Sequence, residues 1–176
     1  MVHNLNRRDR HDIVFAMSDS GVADDVALSR LVFELALFAR HFPASLLRRP
    51  GFHLDRSAFL ILTRLESGCA LSLRELSQAF QLDISTINRQ VAAMLKQELV
   101  DRVPDPDGGI ARKIRASTKG LELLAADRAQ SCDNINTVVA DWSDLDIGEF
   151  GRLIARFNES VEHLEHNPWP RPPEIH

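Results

Sequence analysis

No apolar run in the chain reaches the ~18 residues needed to cross a bilayer, so no membrane span is expected. The opening Met1-Val2-His3-Asn4-Leu5-Asn6-Arg7-Arg8 lacks the apolar core of a secretory signal, which makes a cytoplasmic location the expectation. Cysteine is scarce: Cys69 and Cys132 are the only two, too few for a disulfide framework and without metal-site spacing. Seven histidines are scattered along the chain and form no HxxxH or HExxH pair. There is no glycine-rich phosphate loop and no Gly-x-Ser-x-Gly elbow. An enzyme would need a convergent nucleophile–base or metal set, and none is visible. The expectation is a protein that is not an enzyme and needs no metal or cofactor. Nor is there an internal repeat or a boundary that divides the chain into independent domains. Its 176 residues suit one domain, and a hydrophobic content of 44% is enough for a core.

What is present is concentrated in residues 72–119, SLRELSQAFQLDISTINRQVAAMLKQELVDRVPDPDGGIARKIRASTK. Ser72 followed by Glu75 predicts a capping box, after which Leu73, Leu76 and Phe80 recur at helical spacing. A second helix is predicted to start at the N-cap residue Asp83. At about 100° per residue, its Ile84, Ile87, Val91, Met94 and Leu95 gather on one side. Ser85, Thr86, Arg89, Ala93 and Lys96 fall on the other, flanked by Asn88 and Gln90. That outer face is rich in hydrogen-bond donors, has two cations and lacks a carboxylate. A helix lying against phosphates and base edges needs those properties. A merely solvated amphipathic helix would also show a polar face, so the neighbouring segments decide the reading.

Residues 99–103 can form a strand, residues 104–109 are rich in turn formers, and residues 110–117 return with Arg112, Lys113 and Arg115. From residue 84 to residue 119 there are seven cations against four anions, an excess of three in a chain whose formal charge is −4. The local excess matters more than the total, because phosphate is met by a patch. Helix, turn, helix and a charged two-stranded hairpin predict a winged helix-turn-helix, in which one helix enters a DNA major groove.

The stretch LDISTINRQVAAMLKQELVDRVPDPDGG resembles the recognition helix and wing of MarR-family transcriptional regulators. The likeness is strongest over residues 71–120, carried by the helix ending in Leu99-Val100, the Pro-Asp-Pro tip and Thr118-x-Gly120. It departs at the tip, where Gly108 and Gly109 follow Asp107 and the family's tip arginine has no direct counterpart; Arg112 is the nearest candidate. The resemblance implies a homodimer binding a pseudo-palindromic double-stranded operator, most often as a repressor. It also implies a small aromatic or phenolic effector between the dimer helices and the DNA lobe, with Phe38, His41, Phe42, His53 and Arg64 as candidate contacts. Some members sense oxidants through a cysteine, which would point to Cys69, in a predicted turn; Cys132 reads as a small core residue. The competing reading is a winged-helix module that only binds proteins. Acidic residues on the outer face of the second helix would favour it.

The rest of the chain is predicted mainly α. Residues 1–22 lack periodicity and are expected to be a flexible arm, in which Arg7, Arg8 and Arg10 can reach phosphate. Residues 23–50 are expected to hold a dimerisation helix, apolar on nearly every side and kinked or ended by Pro43. The DNA-binding lobe is assigned to residues 51–119, opening with a helix capped by Asp55, whose buried side is Phe59, Leu60, Leu62 and Leu65. Residues 120–166 are expected to form two further dimerisation helices. The first has the inner stripe Leu121, Leu124, Ala125, Cys132, Ile135, Val138 and Val139. The second starts at Ser143 and carries Phe150, Leu153, Ile154, Phe157, Val161 and Leu164. Residues 167–176 are proline-rich and predicted to be extended.

Overall fold

The computed structural model describes residues 25–46, 51–105, 108–109 and 112–171, with side chains described outside 42–46. The expectations for Arg7, Arg8, Arg10 and the rest of residues 1–22, for the Phe42 side chain, and for residues 172–176 lie outside the described residues. The fold is mainly helical with one small antiparallel sheet, as predicted. It divides into two units, Met1–His41 and Phe42–His176.

The helix of the first unit, α1, runs Asp25–Leu46 and so continues past Pro43. Val26, Leu31, Val32, Phe33 and Phe38 on it are exposed, and Leu35 and Leu37 are half-buried.

The first whole helix of the second unit is α2, Arg56–Leu65, whose N-cap Asp55 accepts from the Ala58 N–H at 2.8 Å. Leu62 and Leu65 are buried as predicted, but Ala58 and Ile61 complete the core face while Phe59 and Leu60 lie at its margin. The capping box of Ser72 and Glu75 is formed and opens α3, Leu73–Phe80. A left-handed Gln81 ends that helix, with its N–H donating back to the Gln78 carbonyl at 3.2 Å. The α4 helix, Ile84–Lys96, packs on α3 and buries Ile87, Val91 and Met94. Its N-cap residue is Asp83, but the Asp83 side chain makes no capping bond.

The wing strands are β1, Val100–Val103, and β2, Lys113–Ala116, shorter than the predicted runs. They pair in the register Val100↔Ala116, Asp101↔Arg115, Arg102↔Ile114 and Val103↔Lys113. On its other side Ile114 exchanges two backbone hydrogen bonds with Leu71, at 2.9 and 2.7 Å, which ties the wing to the entry of α3. The core of this lobe gathers Leu54, Ile61, Leu62, Leu65, Leu76, Ile87, Val91, Val100 and Ile114 around Leu124, beyond the wing in the chain.

Helices α5, Thr118–Val138, and α6, Asp144–Glu165, follow the wing. Ser117 caps α5 through the Gly120 N–H, and Ser143 with Asp146 forms a second capping box at α6. The predicted inner stripe of α5 divides within the single chain. Leu124 is buried, but Leu121, Ala125, Cys132, Ile135 and Val138 are exposed in the chain. The face that α5 turns to the lobe is instead Gly120, Leu124, Asp127 and Asn134. Helix α6 buries no residue at all.

Candidate nucleic-acid interface

The packing of α4 decides which of its side chains can reach outward. With Ile87, Val91 and Met94 in the core, Ser85, Asn88, Arg89, Ala93 and Lys96 are exposed, and Thr86 and Gln90 are half-buried at one flank. Gln90 lines a cavity of about 240 Å³ with Arg56, Ser57, Leu60, Phe80 and Leu82, so it reaches toward α2 and α3. Ile84, predicted to belong to the core face, is 53% exposed. It stands at the first turn, before α3 and the wing can cover it. Arg89 and Lys96 have no ion-pair partner among the described residues, so their charge is available to an external anion.

The wing distributes its cations unequally. Lys113 is half-buried and holds Asp105 at 3.0 Å. Arg112, Arg115 and, on β1, Arg102 are exposed. Arg115 stands opposite Asp101 in the strand register. Glu75 of the capping box ties this corner together electrostatically. The Ser72 N–H, 2.7 Å from its Oε2, and the Ser72 hydroxyl hold the Glu75 carboxyl below the usual range, with Lys113 adding to the effect.

Beside the buried Leu124, backbone and polar contacts hold α5 to the lobe at its first turn and again at Asp127. Gly120, in the first turn of α5, lies against the Leu99 carbonyl, which follows α4 in the chain. Ser117 reinforces the junction: its N–H donates to the Leu99 carbonyl at 3.1 Å and its hydroxyl to the Glu98 carbonyl at 2.7 Å. Two turns on, the buried Asp127 carboxyl accepts from the backbone N–H groups of His53 and Leu54 at 3.0 and 2.9 Å. The ring Nδ1 of His53 lies 2.9 Å from the same carboxyl. The loop entering α2 is thus held by α5.

The chain is similar to known proteins. The MarR family model matches residues 54–108, from the start of α2 to the wing tip. An uncharacterized HTH-type transcriptional regulator of Bacillus subtilis (strain 168), YxaD, is 34% identical over 113 residues, covering 64% of this chain and 78% of that protein. The chain belongs to the MarR family. It is a MarR-family transcriptional regulator with a winged-helix fold. Among solved structures, a MarR family protein from Bacillus stearothermophilus is similar at a TM-score of 0.61 and 26% identity, covering 76% of this chain and 96% of that one. PcaV of Streptomyces coelicolor, determined in complex with its natural ligand, shares the fold at a TM-score of 0.54 and 21% identity, covering 81% of this chain and 100% of that one.

In this MarR-family chain the expected effector contacts fall on both units. His53 is engaged by Asp127, whereas the Arg64 guanidinium lies over the Trp169 ring, 5.6 Å from its centroid. Phe38 and His41 are exposed on α1. Cys69 is exposed, as predicted from its turn; Cys132 is also exposed, against its reading as a core residue. Among the described residues no His, Cys, Asp or Glu group can hold a metal ion, and no helix is long and apolar enough to cross a membrane.

Asp127 and Trp169 were not singled out from sequence as structural anchors. The signal for Asp127 was weak but present: it lies three residues after Leu124, where helical spacing calls for an apolar partner. A polar residue there marks a buried hydrogen-bond acceptor. For Trp169, only its being a large aromatic within a proline-rich tail pointed to a docking role.

Proposed function

We propose that this MarR-family regulator acts as a sequence-specific, double-stranded-DNA-binding homodimer that represses by occupying a pseudo-palindromic operator. The observation that carries the reading is the outer face of α4, where Ser85, Arg89, Ala93 and Lys96 are all exposed and no carboxylate intervenes. Small residues one turn to either side of Arg89 let the helix approach a groove floor. Arg89 can then make a bidentate contact to guanine O6 and N7, with Ser85, Thr86, Asn88 and Gln90 reaching neighbouring bases or phosphates. Lys96, in the last turn, meets phosphate. Arg112 and Arg115 supply the wing's contacts, and Lys113 braces the wing from within.

The dimer rests on apolar surface that needs cover. Val26, Val32 and Phe33 on α1, Ile135 and Val138 on α5, and Leu145, Phe150, Leu153 and Phe157 on α6 are all exposed in a single chain. Surface of this extent is stabilised when removed from water, at about 25 cal/mol per Å² before ordering costs. A second copy presents the same surfaces and closes the assembly by two-fold symmetry. A small aromatic effector that prefers one spacing of the two lobes would shift DNA affinity by its differential binding energy.

Selection of bound fragments from a random DNA pool, followed by salt titration of variants, tests the reading. Arg89→Ala should cost ~1–3 kcal/mol per half-site and relax the preference at one base position. Lys96→Ala should weaken all sequences alike and flatten the salt dependence. Wild-type affinities of Arg89→Ala for both operator and scrambled DNA would leave α4 as a merely solvated surface and sink the proposal.

A further inference from the structure

The segment after α6 folds back onto the helix-turn-helix lobe. The Asn167 side-chain amide donates to the Ala79 carbonyl, 2.9 Å away in the last turn of α3. The Trp169 ring meets Phe80 edge-on, with centroids 5.2 Å apart, and Arg64 of α2 lies over the same ring. The Trp169 N–H donates to Glu162 at 3.1 Å. Arg171 grips that carboxylate through two guanidinium nitrogens at 3.0 and 2.8 Å, and also donates to the Trp169 carbonyl at 3.1 Å. Gln81, the C-cap of α3, donates to Glu165 at 3.2 Å.

These bonds join three elements at one point: the C-terminal end of α6, the last turn of α2 and the end of α3. The junction lies directly ahead of the turn that leads into α4. It is also where α6 is held to the lobe by specific side chains, because α6 buries no residue along its length. A helix held only through its connection to α5 would be free to rock. A tie between its far end and α3 removes that freedom. An aromatic ring between a guanidinium and a second ring suits such a tie, since it gives contact area with few torsions to order.

We propose that Trp169 and Arg171 are positioning residues for DNA recognition. They lock α6 to α2 and α3, so that the distance between the two recognition helices is set through the tail as well as through α5. The inference rests on the reading that α6 helps build the dimer and α4 meets DNA. Neither residue touches DNA. Their effect is to raise the fraction of dimers whose two lobes already match the operator spacing, which sets the apparent affinity.

The test uses the full chain and the variants Trp169→Ala, Trp169→Phe and Arg171→Ala. Hydrogen exchange without DNA reads the tie itself. The amides of Gln81 and Leu82 should exchange several-fold faster in Trp169→Ala and Arg171→Ala, and close to the wild-type rate in Trp169→Phe. DNA binding is then compared on the pool-selected operator and on versions with one or two base pairs inserted between the half-sites. The wild-type protein should discriminate between these spacings by about tenfold, and Trp169→Ala by no more than about twofold, with affinity for an isolated half-site unchanged. Trp169→Phe should restore the discrimination. Arg171→Ala, which leaves the ring in place, should fall between and serves where Trp169→Ala fails to fold. Unchanged exchange, or wild-type spacing discrimination in Trp169→Ala and Arg171→Ala, overturns the positioning role while leaving the DNA-binding reading intact. A wild-type protein that selects no DNA overturns both.

Discussion

Gly120 lies so close to the Leu99 carbonyl oxygen that a Cβ could not stand between them, and the Leu62 side chain closes the other approach at 3.0 Å. The first turn of α5 therefore rests on the backbone that leaves α4. Helix propensity by itself would favour alanine over glycine by up to ~1 kcal/mol in a helix interior. The clash is with backbone and cannot be relieved by a rotamer change, so overpacking should win. Gly120→Ala is expected to destabilise the fold by ~1–3 kcal/mol in chemical denaturation. A stabilised Gly120→Ala protein would show that α5 can move away from α4 at no cost.

Asp127 should be the most sensitive polar position of α5. Removing its carboxyl leaves the N–H groups of His53 and Leu54 without their acceptor, and Leu54 is 6% exposed. Asp127→Ala should lose ~1–3 kcal/mol of stability for the buried Leu54 donor and a smaller amount for the part-buried His53 donor, with the amides of residues 53 and 54 exchanging first. Asp127→Asn keeps one acceptor oxygen and should lose less. Equal stability of all three proteins would mean that water replaces the carboxyl.

The wing cations should separate by measurement. Lys113 is paired with Asp105 and half-buried, whereas Arg112 is exposed. Arg112→Ala should lower DNA affinity, most on A·T-rich flanks, and reduce the salt slope by about 0.9 per half-site for one lost phosphate contact in each. Lys113→Ala should leave the slope nearly unchanged and act through wing stability. The two slopes, measured on one operator, decide the assignment. A larger slope change for Lys113→Ala would reverse it.

Glu75 predicts a pH dependence of stability. Its folded pKa is lowered, first by the Ser72 N–H, then by the Ser72 hydroxyl, with a contribution from Lys113. A group whose folded pKa lies below its unfolded value contributes stability above the unfolded pKa. That contribution is lost as the pH falls through the folded value. Glu75→Gln should therefore be less stable than wild type near neutral pH, and the gap should close on acidification below the ordinary glutamate range. Denaturation midpoints of the two proteins across that window give the comparison. A gap that persists at low pH would assign the loss to geometry and not to charge.

The lobe was legible because its signals are local. The Ser72–Glu75 capping box, the Asp55 cap and the spacing of Ile87, Val91 and Met94 each act within one or two helical turns, and all are formed. The periodicity of α5 marks an apolar stripe, most of which the single chain leaves exposed. Leu121, Cys132 and Ile135 are apolar and exposed, while the buried face carries Gly120, Asp127 and Asn134. Hydropathy finds apolar surface but cannot say which body covers it. Nor can it find a buried polar residue whose value lies in a partner 73 residues away, as Asp127 and Leu54 are. Ile84 failed for a related reason: at a helix's first turn, phase alone does not establish that anything lies above it.

Helix order, the caps at Asp55, Ser72 and Ser143, the winged helix-turn-helix and the family resemblance are legible in the chain alone, because backbone capping, turn chemistry and hydrophobic period are short-range forces. The pairing of Lys113 with Asp105, the need for glycine beside the Leu99 carbonyl and the return of Trp169 to Phe80 and Arg64 emerge only in the folded chain. Those pairings join residues distant in sequence. Their energy depends on how many competing partners the fold removes, and that is settled only when the chain has closed on itself.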